Sequence, residues 1–168
     1  MSGFKPVKAG FRRGVKQGRP AGYLVGEVRG QMYLEYEDAQ ARGLRRYVRL
    51  VTEALGLGGN AYFVQIDPPP ANAYLALERR LPEFPDRDSA LIWSEDTGWS
   101  LVVESHCGED LIVLAYLGAD VLPAPRVVAR FAEDLCDGVA AGVLEPPVWD
   151  PVDVRERLAA YSAPALAG

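Results

Sequence analysis

The sequence predicts an α+β fold: an antiparallel sheet of four to five strands, with helices over about residues 37–55 and 125–137 packed on one face. Three observations carry this. Leu44, Tyr47, Val48, Val51 and Leu55 recur at helical spacing. Between residues 61 and 117 the chain breaks into short apolar runs punctuated by Pro, Gly and Asp. A second helical stripe, Val127, Val128, Phe131 and Leu135, closes the pattern. The order helix, strands, helix is that of helices laid on one side of an antiparallel sheet.

Each element has its own local reason. Residues 22–36, GYLVGEVRGQMYLEY, hold two short apolar clusters and read as an extended lead-in or a weak hairpin. Glu37 and Asp38 suit a first helical turn, where the macrodipole favours negative charge, and Gly56 suits the left-handed stop. AYFVQI (61–66) alternates Tyr62, Val64 and Ile66 against Phe63 and Gln65, and it ends at DPPP. AYLALE (73–78) is a shorter strand, and LPEFPDRD (81–88) a Pro-punctuated loop. ALIWSEDTGWSLVVES (90–105) reads as a hairpin turning at Asp96-Thr97-Gly98, with Trp93 opposite Leu101 and Leu91 opposite Val103. LIVLAYL (111–117) is apolar throughout, as in a buried strand. Pro125 fits the first turn of the second helix and Gly138 its end. Residues 1–36 thus form a basic arm and lead-in, 37–138 the core domain, and 139–168 an Ala- and Pro-rich tail in which PVDVRERLAAY (151–161) suits a short helix.

Composition narrows the function classes. The chain has 168 residues, 49% of them hydrophobic and 24% charged, which is ordinary globular composition. Its longest apolar run is far short of the roughly 20 residues that cross a bilayer, so no membrane span is expected. The basic N-terminus lacks the apolar run of a secretory signal. Cys107 and Cys136 can make neither a disulfide framework nor a four-ligand zinc site, so a cytoplasmic location and no metal or other cofactor are expected.

Motifs that suggest catalysis have simpler explanations. Asp96-Thr97-Gly98 matches the aspartic-protease tripeptide, but no second copy supplies the partner carboxylate, and Asp-x-Gly suits a tight turn. LGLGGN (55–60) lies between a helix and a strand, the reverse of a phosphate loop. His106 and Cys107 adjoin in SHCGED (105–110), yet no orienting group or oxyanion donor accompanies them. Glu109, Asp110, Asp86 and Asp88 have no metal-site spacing. The expectation is a protein that is not an enzyme.

Charge is the most informative feature. The net charge is −5, but residues 1–50 hold eleven Lys/Arg against four Asp/Glu, and residues 51–168 hold seven against nineteen. FKPVKAGFRRGVKQGRP (4–20) carries Lys5, Lys8, Arg12, Arg13, Lys16 and Arg19 and no acid. Arg42, Arg45, Arg46 and Arg49 recur at helical spacing roughly opposite the first apolar stripe. These ten residues are the candidate binding set.

The segments 44–69, 73–104 and 108–123, with RLPEFPDRD, ALIW…GW and GEDLIVLAYLG, resemble a family of small actinobacterial proteins classed as a domain of unknown function. The resemblance covers about residues 44–137 and implies no activity, cofactor or site residue. The resulting expectation is a cytoplasmic adaptor or regulatory module. It would bind a protein partner, or a second copy of itself, through its terminal segments. The alternative is nucleic-acid association through the arm and the arginine face.

Overall fold

The computed structural model describes residues 7–9, 29–58, 61–105 and 110–162, with side chains from residue 39 onward. In chain order the elements are β1 (Val7–Ala9), α1 (Arg29–Ala54), β2 (Tyr62–Gln65), β3 (Asn72–Ala76), β4 (Ser89–Ser94), β5 (Gly98–Glu104), β6 (Leu111–Tyr116), α2 (Pro125–Cys136) and α3 (Pro151–Tyr161). Strands β2 to β6 form an antiparallel meander, and β1 adds to the other side of β6, giving the order β1-β6-β5-β4-β3-β2. The α+β class is as expected, with a short sixth strand contributed by the basic arm.

Helix α1 corrects the expected boundaries. Residues 29–36 are helical rather than an extended lead-in, so Glu37 and Asp38 lie inside the helix and not in its first turn. Gln31, Met32, Leu34 and Glu35 are good helix formers, which outweighs the glycines around them. The other end behaves as expected: the helix stops at Ala54, and Gly56 takes φ +69°.

The β4–β5 hairpin keeps its core face but shifts its register. Trp93 lies opposite Trp99, and Leu91 opposite Leu101, with Ser94 and Gly98 closing the ladder. The loop is therefore Glu95-Asp96-Thr97, one residue earlier than expected, and Gly98 has φ +69°. Glu95 leaves the ladder because its carboxylate turns inward, where Oε2 accepts the Ala71 N–H at 3.1 Å. A shift of two residues preserves side-chain facing, so Leu91, Trp93, Leu101 and Val103 still point to the core.

All three helices contribute to the cluster on that face. Leu44, Tyr47, Val48 and Val51 of α1 join Val128, Phe131 and Ala132 of α2, Val154 and Leu158 of α3, and Ala73, Leu75, Leu91, Trp93, Trp99, Leu101 and Val103 of the sheet. The α2 stripe differs in detail from expectation. Val127 is exposed and Leu135 only half-buried, while Ala129 and Cys136 are buried. The opposite sheet face holds a smaller cluster of Ala90, Val102, Leu111, Val113 and Tyr116, flanked by Tyr74 and Ile92.

Helix α3 starts as its sequence dictates. Asp150 Oδ1 accepts the Val152 N–H at 2.9 Å, and Pro151 occupies the first turn, where no N–H is needed. It packs on α1 at Gly43, where a Cβ atom would sit 1.8 Å from the Leu158 carbonyl oxygen. Only glycine permits this approach.

Candidate interaction surfaces

A chain of buried hydrogen bonds links the core beneath its surfaces. Trp99 Nε1 donates to Tyr47 Oη at 2.9 Å, and Tyr47 Oη donates to the Pro123 carbonyl at 2.8 Å. Trp93 Nε1 donates to the Val121 carbonyl at 2.7 Å. The loop between β6 and α2 is thus held from below by two tryptophans and a tyrosine. Burial pushes the Tyr47 phenol far above the usual tyrosine range, and the Trp99 hydrogen bond offsets this only in part.

Two ion pairs fasten α3. Arg155 Nε donates to Glu95 Oε1, whose side chain is almost wholly buried. Arg157 grips Asp120 with two bonds, 2.8 and 2.9 Å, and this holds the Asp120 carboxyl below the usual range against the opposing effect of partial burial. The loop at Glu95 and the loop at Asp120 are thereby tied to one helix.

The candidate cationic residues divide. Lys5, Arg12, Arg13, Lys16 and Arg19 lie outside the described residues, and Lys8 is described only as backbone of β1. On α1, Arg42, Arg45 and Arg49 are exposed at i, i+3 and i+7, so they share one face. Arg49 also lies 3.6 Å from Glu53. Arg46 departs from this set: it is half-buried, and its Nη1 donates to the Tyr161 carbonyl at 3.3 Å, so it helps hold the end of α3.

Of the residues weighed for chemistry, His106, Cys107 and Glu109 lie outside the described residues. Asp96 is exposed in the hairpin turn, as turn chemistry requires. Asp88 is exposed and lies 3.4 Å from Arg80. Cys136 is a free, buried thiol whose pKa burial raises, which disfavours the nucleophilic thiolate. Among the described residues no group of three or more His, Cys, Asp and Glu side chains is placed to hold a metal ion. No described helix is long and apolar enough to cross a membrane.

The surface that sequence reading missed runs from the end of α2 into the first turn of α3. Val139, Val143, Leu144, Val148 and Val152 are all exposed large apolar residues; Leu144 retains 66% and Val148 91% of its full accessibility. The segment is nevertheless pinned. Val143 exchanges two backbone hydrogen bonds with Tyr116, at 2.7 and 2.8 Å, and half-buried Trp149 approaches the backbone at Gly98. Gly142 takes φ +78°, and its Cα passes so near Tyr116 that a Cβ would lie 2.2 Å from the carbonyl oxygen. The only sequence signal was composition: VLEPPVW places apolar residues around two prolines that prevent a regular ladder.

Fold and surfaces together define an α+β domain with a hydrogen-bonded aromatic core, presenting one cationic helix face and one apolar ridge. The chain belongs to DUF6292, a family of unknown function whose model matches residues 47–134. No curated protein and no solved structure matches it.

Proposed function

We propose that this chain is a non-enzymatic interaction module that binds a protein partner through its C-terminal segment, residues 139–152. One observation carries the reading: five large apolar side chains stand in solvent on a segment that the domain holds in place at Tyr116, Gly98 and the α3 cap. Scattered exposed apolar residues are ordinary, but a run of them on a fixed, proline-stiffened segment offers a binding edge at low entropic cost. Pro146 and Pro147 fix φ at the centre of the Glu145–Val148 stretch, so the fitting partner has a groove lined by apolar or aromatic side chains. A reducing cytoplasmic location and an actinobacterial source agree with the two cysteines and the Arg- and Ala-rich composition.

The test places a photo-crosslinking amino acid at Val148, with Glu133 as an exposed control position, and examines native cells. A protein adduct formed at 148 but not at 133 is expected. The complex re-formed from purified components should be lost on Leu144→Asp with Val148→Asp. Equal labelling at both positions, or a complex indifferent to those substitutions, overturns the reading.

A second reading rests on the exposed Arg42, Arg45 and Arg49 face, which suits nucleic-acid backbone. It requires binding that weakens steeply with salt, and a salt slope that falls by about one unit for each arginine removed. Salt-insensitive binding rejects it.

A further inference from the structure

Strand β1 is only Val7–Ala9, yet it pairs in register with β6: Val7 with Val113, Lys8 with Ile112 and Ala9 with Leu111. Strand β6 lies inside the stretch matched by the family, whereas β1 lies outside it. The accepting edge thus belongs to the family domain, and its occupant belongs to an added arm. Charge favours the same pairing. The antiparallel register puts Ala9 at the Leu111 end of β6, beside Asp110 and opposite the strand end that carries Glu104. Arg12 and Arg13 follow Ala9 within four residues, and Lys5 and Lys8 accompany them in a stretch without acids.

We propose that the outer edge of β6 is a strand-docking site for extended basic peptides, and that β1 is its tethered occupant in this chain. Backbone groups along Leu111–Val113 supply the pairing, and Glu104 and Asp110 select cationic residues after the paired segment. A three-residue ladder is short for a strand, so the occupant is exchangeable. Tethering favours β1 by raising its local concentration and not by the number of its contacts. This site is separate from the apolar ridge, and its test does not depend on that reading.

The experiment uses the full chain and a fluorescent peptide of residues 4–13, FKPVKAGFRR. In one variant, Val7→Pro with Lys8→Pro removes ladder donors from β1. In a second, Arg12→Glu with Arg13→Glu reverses the charge while leaving the strand intact. Both should bind the peptide at least about tenfold more tightly than the unaltered chain, because the tethered competitor is weakened. Binding should decline with added salt, and hydrogen exchange should show protection at residues 111–113. Equal affinity for the unaltered chain and both variants overturns the proposal, as does protection confined to another part of the sheet.

Discussion

Replacing Gly43 with alanine sets helix propensity against packing. In the interior of a helix, Gly→Ala is worth about 1 kcal/mol in favour of alanine. At position 43 the new Cβ would lie 1.8 Å from the Leu158 oxygen and 2.7 Å from its carbonyl carbon. These are backbone atoms of another helix, so no rotamer change relieves the contact, and α1 and α3 must separate by more than an ångström. Overpacking of this kind costs about 1–3 kcal/mol. If α3 instead undocks, Val154 and Leu158 lose their burial at about 1.5–3 kcal/mol each, and Glu95 loses its cationic partner. The cheaper route governs, so Gly43→Ala should cancel its propensity gain and destabilise by up to about 2 kcal/mol net. Urea unfolding followed by tryptophan fluorescence measures this, and limited proteolysis should show earlier cleavage between α2 and α3. A variant stabilised by the full propensity gain of about 1 kcal/mol would refute the close-approach argument and imply that α3 is not seated on α1.

Further substitutions probe the core and the apolar ridge. Arg155→Met should cost about 3 kcal/mol at pH 7, because it leaves the buried Glu95 carboxylate without its cationic partner, and adding Glu95→Gln should restore about half of that loss; denaturant titration of the single and double variants decides. Tyr47→Phe orphans both the Trp99 N–H and the Pro123 carbonyl, and should cost about 2–3 kcal/mol by the same measurement. The pH dependence follows from the raised Tyr47 pKa: the folded chain keeps a proton that the unfolded chain releases near pH 10. That contribution is whole below about pH 10 and declines above it by about 1.4 kcal/mol per pH unit, and Tyr47→Phe should flatten the decline in alkaline melts. Val148→Asp should change stability by less than about 0.5 kcal/mol in thermal unfolding, because that side chain packs on almost nothing.

What was legible in the sequence is what short-range rules govern. Helix α3 spans PVDVRERLAAY as expected, and Asp150 and Pro151 set its start by local chemistry. Gly56, Gly98 and Gly138 each take the positive φ that their positions imply. The failures depend on distant partners. The hairpin register turned on Glu95, whose burial is sustained by Arg155, sixty positions away. Arg46 sat in the cationic stripe by spacing, but the end of α3 draws it inward. Gly43 was the available signal that something packs closely on α1, since a mid-helix glycine otherwise only costs stability. The ridge at 139–152 escaped notice because sequence alone does not distinguish an apolar residue that is covered from one that is not.

The matched stretch, residues 47–134, is therefore smaller than the unit that physics holds together. Trimming the chain to it would leave Glu95 buried without Arg155, and Asp120 without Arg157. It would also cut α1 between Leu44 and Tyr47, and uncover the part of the core that Val154 and Leu158 close. The half-exposed Asp120 pair is cheap to lose, but the buried Glu95 carboxylate is not. A chain without an equivalent of α3 is therefore expected to carry a neutral residue at position 95, or to draw a cation from elsewhere. Where that cation comes from a second chain, the place that Arg155 fills here becomes a contact with the partner, and Glu95→Gln should then relieve the dependence on it.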